Sequence, residues 1–225
     1  MVLRRSLAGC LAALVACSGS AAPKTSPSPA DDTARARGLV ITSSDLPAGW
    51  RSSVHRADPV TDREDRNVAL CGGAPDPRTA RTAHVFGMEF GQGAQTIGSE
   101  ATYVRTAAEA AKDAAALKRA RMVACLARAA RPVVADQLRR QGITATIRSV
   151  RVARRTLGIP GVVSAFRISI VLVTAGAAIR VEEDIVFLAR GRAEVRAVFV
   201  DVGVQFSQPL EMNIVRRLST KLSTM

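Results

Sequence analysis

The chain has 225 residues, a formal net charge of +13 and an aromatic content of only 4%. That length supports one domain with a real hydrophobic core. The positive charge invites a polyanionic partner, but so few rings leave little for bases to stack on, which argues against a nucleic-acid binder.

The N-terminus carries the strongest pattern. Arg4 and Arg5 precede an apolar run over 7–16, and Leu14-Val15-Ala16-Cys17 has the form of a lipobox. A basic start, a short apolar stretch and a small-residue cleavage region make a bacterial export signal. The run is too short to span a bilayer as a helix. Two processing routes are open. Signal peptidase II would cut before Cys17, making 1–16 a lipoprotein signal peptide and leaving Cys17 with a diacylglycerol on its thiol and an acylated amine. The ordinary signal peptidase would cut after Ser20-Ala21-Ala22 and release a free protein. A cysteine directly after Leu-Val-Ala favours the first route. Its acyl chains, at about 0.8 kcal/mol per buried CH₂, would hold the domain on the extracytoplasmic face of the cell membrane.

Export also interprets the other cysteines. Cys10 leaves with the signal and Cys17 is modified, so Cys71 and Cys125 remain as a pair. In an oxidising compartment such a pair most often bridges. Closing a loop that long would stabilise the fold by roughly 4 kcal/mol. A redox or metal-binding pair is the alternative, but there is no Cys-x-x-Cys and only His55 and His84 could complete a site. Loss of 1–16 lowers the net charge to +11. Arginine and alanine are abundant while lysine is scarce, as in GC-rich coding. The basic surface therefore reads first as solvated, and second as attracted to anionic lipid or envelope polymer.

Residues 18–37 are small, polar and rich in proline, and predict a disordered tether over 17–38. A single globular domain is expected over 39–225. It opens with a short apolar element at 39–42 and a turn punctuated by Pro47 and Gly49 before Trp50. Residues 51–82 look irregular, long enough to conceal a short helix. Strands are predicted at 84–90 and 97–105, joined by Gly91-Gln92-Gly93. Thr106-Ala107-Ala108-Glu109 is a capping box opening an Ala-rich helix to about 130, with a second piece after Arg131-Pro132 that stops at Gly142. Val- and Ile-rich strands follow at 143–154, 162–174, 178–189 and 193–202, the last two as a hairpin at Gly191. Leu210, Ile214, Leu218 and Leu222 form the stripe of a terminal helix. The expected class is α+β: a mostly antiparallel sheet of about six strands, with the long Ala-rich helix and the C-terminal helix packed on one side.

This layout resembles the actinobacterial envelope lipoproteins related to the PknH-like extracellular sensor domain of serine/threonine kinases. The matching pieces are Ser43 to Trp50 (Ser-x-Asp-Leu-Pro-x-Gly-Trp), Cys71, the Cys125-Leu126 pair in an Ala-rich helix, and the late hairpin at Arg190-Gly191-Arg192. The resemblance implies an α+β domain with a cleft for an envelope ligand. The chain departs from it in having one cysteine pair where the kinase sensor has two disulfides, and in carrying no kinase domain.

No catalytic constellation emerges. Neither histidine sits in a Gly-x-Ser-x-Gly elbow, and His84 reads as structural or solvent-facing. Glu182, Glu183 and Asp184 lie in one strand, so Glu182 and Asp184 share a face opposite Glu183. They read as a solvated edge or as partners for Arg180 and Arg196, with a cation site as the alternative. Trp50 reads as a core anchor rather than a sugar platform. No catalytic residue, cofactor or metal site is assigned. The expected function is a membrane-anchored, non-enzymatic ligand-binding or sensor-like lipoprotein whose partner is an envelope lipid, glycan or protein. The alternative is a carrier holding an envelope lipid or glycolipid in a cavity lined by 168–173 and 185–188. An enzyme acting on the wall would need a convergent polar site that the sequence does not display.

Overall fold

The computed structural model describes residues 28–55, 59–203 and 206–225. The export signal, Cys17 and most of the predicted tether lie outside the described residues.

The first described element corrects the tether's boundary. Residues 29–38 are not a disordered leash: Pro29–Leu39 form a helix, α1. Ser28 caps it, its hydroxyl accepting from the Asp31 amide while the Asp31 carboxylate accepts from the Ser28 amide. Proline, which weighed towards disorder in the sequence, here occupies the first helical turn, where its missing N–H costs nothing. Asp32, Ala36 and Leu39 are buried. The Asp32 carboxylate accepts from the Thr82 hydroxyl and the Arg192 guanidinium, which pins the helix to the sheet.

After a 3₁₀ turn at Ser43–Asp45 come β1 (Arg51–Val54), α2 (Pro59–Gly72) and the short α3 (Pro77–Ala80). The segment expected to be irregular is thus largely helical. Next are β2 (Arg81–Phe86), β3 (Met88–Gln92) and β4 (Gln95–Val104). The strand predicted at 84–90 is split at Gly87, whose amide still donates to the Ser99 carbonyl. β2 and β3 therefore follow one another along the same side of β4. The helices α4 (Ala107–Lys118) and α5 (Met122–Arg140) come next, then β5 (Thr146–Arg155), β6 (Val162–Thr174), β7 (Ala177–Arg190), β8 (Ala193–Val202) and α6 (Gln208–Ser223). The eight strands form one antiparallel sheet in the order β1-β3-β4-β8-β7-β6-β5, with β2 also on β4.

The helical break falls at 119–121, not at Pro132. Arg154 explains it: its guanidinium donates to the Leu117 and Arg119 carbonyls, replacing the helical bonds that would otherwise satisfy them. Pro132 sits inside α5 on its exposed side, where the ring costs one backbone hydrogen bond without disturbing the packed face.

The α+β class and the antiparallel sheet hold, with two particulars changed. The sheet has eight strands, and the helices cover both faces. α1 and α6 pack against Val186, Leu188, Val195, Ala197 and Phe199. α5 packs against Phe166, Ile168 and Ile170, which point the other way. The central parts of β7 and β8 are consequently covered on both faces, so a charged side chain placed there is costly unless it finds a partner.

Replacing Asp32 leaves the Arg192 guanidinium without its buried counter-charge. Asp32→Ala is expected to cost about 3 kcal/mol of folding stability in urea titration, whereas a flexible tether at this position would make the substitution silent.

Candidate functional site

Strand alternation sets the chemistry of the face beneath α2, α4 and α5. In β8 the pairing Glu100↔Arg196 and Thr102↔Glu194 brings the polar residues of β4 and β8 side by side on this face. In β2, His84 lies opposite Thr102 and Phe86 opposite Glu100. α4 turns Ala110, Asp113 and Ala116 towards the same face, so an aspartate interrupts an alanine stripe. The space between holds a half-open cavity of about 180 Å³. Val68, Leu117, Met122, Leu126, Ile185 and Phe187 make its apolar part. Asp65, Arg81, Glu100, Asp113, Glu194 and Arg196 make its charged part.

The charged part divides into two. On one side Arg196 donates to Asp65 of α2 at 2.8 Å and lies 2.9 Å from Glu100. The second Glu100 oxygen meets His84 Nε2 at 3.0 Å, and His84 Nδ1 meets the Arg81 guanidinium at 3.2 Å. A guanidinium can only donate, so Nδ1 accepts and the ring hydrogen sits on Nε2, pointing at Glu100. Burial alone would raise Glu100, but Arg196 and the His84 hydrogen bond outweigh it and hold its carboxyl at about 2. Burial would likewise lower Arg196, and the charges of Asp65 and Glu100 raise it instead.

The other side is unsatisfied. Asp113 and Glu194 have no hydrogen bond or ion pair among the described residues; Asp113 Oδ1 and Arg81 Nε are buried without a hydrogen-bond partner. Burial pushes Glu194 up to about 8, and nearby Asp113 adds to it. Burial also raises Asp113, reinforced by Glu109 and opposed by Arg81. Native interiors seldom leave buried atoms such as Asp113 Oδ1 and Arg81 Nε unpaired, and a cavity bordered by them is a place for a ligand.

The expected disulfide is present, with Cys71 and Cys125 Cα atoms 5.8 Å apart. It joins the end of α2 to α5 beside Met122 and Leu126, at the cavity's apolar wall. Arg119 and Arg121 reinforce this corner by donating to the Gly72 carbonyl. Cys17 lies outside the described residues. Glu182 and Asp184 share a face, as the alternation predicts, and are held mainly by Arg167 and Arg155, with Arg180 only 4.0 Å from Glu182. Glu183 faces the other way, where burial pushes it up to about 7 against the pull of Arg196. Trp50 packs against the core, 6.1 Å from the Phe206 ring. His55 stacks on Phe86 at 4.4 Å and pairs with Glu89.

Sequence reasoning did not assemble Glu100, Asp113, Glu194 and Arg196. The available clue was β8 itself: Glu194 and Arg196 alternate with apolar residues in a strand near the middle of the sheet.

The chain is similar to the extracellular domain of PknH from Mycobacterium tuberculosis, with 12% identity over 85% of this chain and 96% of that one and a TM-score of 0.42. No family model and no curated protein matches it. Among the described residues no helix is long and apolar enough to cross a membrane.

The raised carboxyls make stability depend on pH. Glu194 and Glu183 hold a proton more tightly folded than unfolded, so their contribution is complete below about 4.5 and is lost as pH rises through about 7 to 8. Glu194→Gln mimics the protonated form at every pH. It is expected to raise stability by about 2 kcal/mol at pH 8.5 and to change nothing at pH 4, measured by denaturant titration at both values.

Proposed function

We propose that this chain is an exported lipoprotein, moored through Cys17 to the outer face of the cell membrane, whose pocket beneath α2, α4 and α5 binds a small ligand without transforming it. The observation that carries the reading is the cavity itself: apolar walls meeting buried polar atoms that the protein leaves unpaired. The Cys71–Cys125 bridge supports an oxidising, extracytoplasmic setting. The nearest imidazole, His84, is occupied on both nitrogens by Glu100 and Arg81, which supports binding over acid–base turnover.

Size separates the two binding readings. A dry cavity of about 150 Å³ takes a benzene, and drug-sized ligands fill roughly 300–1,000 Å³. At about 180 Å³ the pocket suits a compact molecule or the head of a larger one. It is too small to enclose the chains of a lipid, which favours a sensor-like binder over a carrier.

Two measurements test this. Wild-type protein from its native membrane is expected in the detergent phase of a Triton X-114 partition, and Cys17→Ala in the aqueous phase; no difference between them refutes the anchor. Denaturing extraction and mass spectrometry should release a small molecule near one-to-one from the wild type. Leu126→Trp, which fills the apolar wall, should lose it while still melting cooperatively, and Ala116→Leu offers a milder filling. An empty wild-type protein, or equal occupancy in the filled variants, overturns the pocket reading.

A further inference from the structure

We propose that the pocket selects a cation: a compact amine whose ammonium sits between Asp113 and Glu194 and whose short apolar body lies against Met122, Leu126 and Phe187. This rests on the pocket being a ligand site, and adds the chemical class it takes.

The argument is one of charge and of vacant hydrogen bonds. Four carboxylates and two guanidiniums line the cavity, inside a chain whose net charge is +13. The acidic surplus is therefore local and runs against the protein as a whole. Asp65 and Glu100 are consumed by Arg196. Arg81, the remaining cation, spends one guanidinium nitrogen on His84. Asp113 and Glu194 come from different elements, α4 and β8, and converge on the cavity with nothing bonded to either. Once Glu194 is ionised, the two carboxylates are acceptors without a donor, which an ammonium, with three donors and one charge, would satisfy. An anionic ligand would add to the surplus. The unpartnered Arg81 Nε completes the description, because an oxygen two carbons from the ammonium nitrogen, as in a 2-amino alcohol, could accept from it. The apolar side matches a benzene-sized body.

Binding should then move a proton. Burial and Asp113 keep Glu194 protonated near neutral pH, with Glu109 adjoining on α4 and Arg81 the nearest opposing charge. An arriving ammonium favours the ionised carboxylate, so the proton leaves to solvent as the ion pair forms.

The test uses the wild-type folded domain, the ammonium probe phenylalaninol and its anionic counterpart 3-phenylpropanoate, in titration calorimetry at pH 7. Phenylalaninol is expected to bind at least tenfold more tightly than 3-phenylpropanoate. Its heat should differ between buffers of different ionisation enthalpy by an amount reporting proton release, and its affinity should rise from pH 6.5 to 8.5. Glu194→Gln and Asp113→Asn should each weaken it at least tenfold, and Glu194→Gln should abolish the proton release while leaving the fold intact. Tighter binding of the carboxylate overturns the cation assignment and leaves the pocket standing as a ligand site. Failure of both compounds also overturns the assignment, whereas the pocket reading falls with an empty native extract or with equal occupancy in the filled variants. Unchanged affinity in both variants refutes the placement of the ammonium.

Discussion

The site depends on one guanidinium. Arg196 rises from β8 into the space between the sheet and α2, bonds Asp65 on the helix and lies against Glu100 on the next strand. An arginine in this position is costly to desolvate, and leaving either partner out would strand a buried charge. The pair of contacts therefore fixes how far α2 stands from the sheet. With the Cys71–Cys125 bridge at the helix's end and Asp65 near its middle, α2 is held at two points over the cavity. Glu100 passes the constraint on to His84 and Arg81, so the whole polar floor is ordered by contacts that begin at Arg196.

The opposite face shows what a satisfied interior looks like in this protein. There Arg155 joins Asp184 to Glu211 of α6, and Arg167 forks onto Asp184 near Glu182, which also accepts from Ser169. Carboxylates and guanidiniums interlock, and α6 lies on top with Ile214, Leu218 and Leu222 buried. Both faces carry a surplus of acids, but on the α6 face each is bonded, whereas Asp113 and Glu194 are not. The same sheet thus carries a structural ion network on one side and an incomplete one on the other. A fold selected for stability alone would fill the second with apolar side chains, since well-packed hydrophobes replace buried ion pairs at little cost.

Much of this architecture was legible in the residues. The strands at 162–174 and 193–202 coincide with β6 and β8 because their Val, Ile and Phe residues recur where the sheet is covered. The capping box at Thr106 and the stripe of α6 stated their helices directly, and the cysteine pair stated its bridge. What stayed hidden depended on distant partners. α1 looked like tether because its composition is polar; Asp32 makes it structural through Thr82 and Arg192, which lie 50 and 160 residues away. The break between α4 and α5 is set by Arg154 in a strand that the sequence places far downstream. The pocket is of the same kind. Each of its carboxylates reads locally as a surface charge, and only the pairing of β2, β4 and β8 under the helices makes them a site.

The correction to α1 changes the geometry of anchoring. With a tether reaching to residue 38, a domain moored at Cys17 would have roughly twenty residues of slack. With α1 docked from Pro29, about eleven residues separate Cys17 from the folded body. Fully extended, that segment reaches roughly 40 Å. The chain also enters on the face of the sheet that carries α1 and α6, while the cavity opens among α2, α4 and α5 on the other. A protein moored in this way would be kept close to the bilayer by the α1 side, and the sheet would stand between its lipid attachment and its binding pocket. On the reading proposed above, such an arrangement fits a domain that samples small solutes around the membrane better than one that draws lipid out of it.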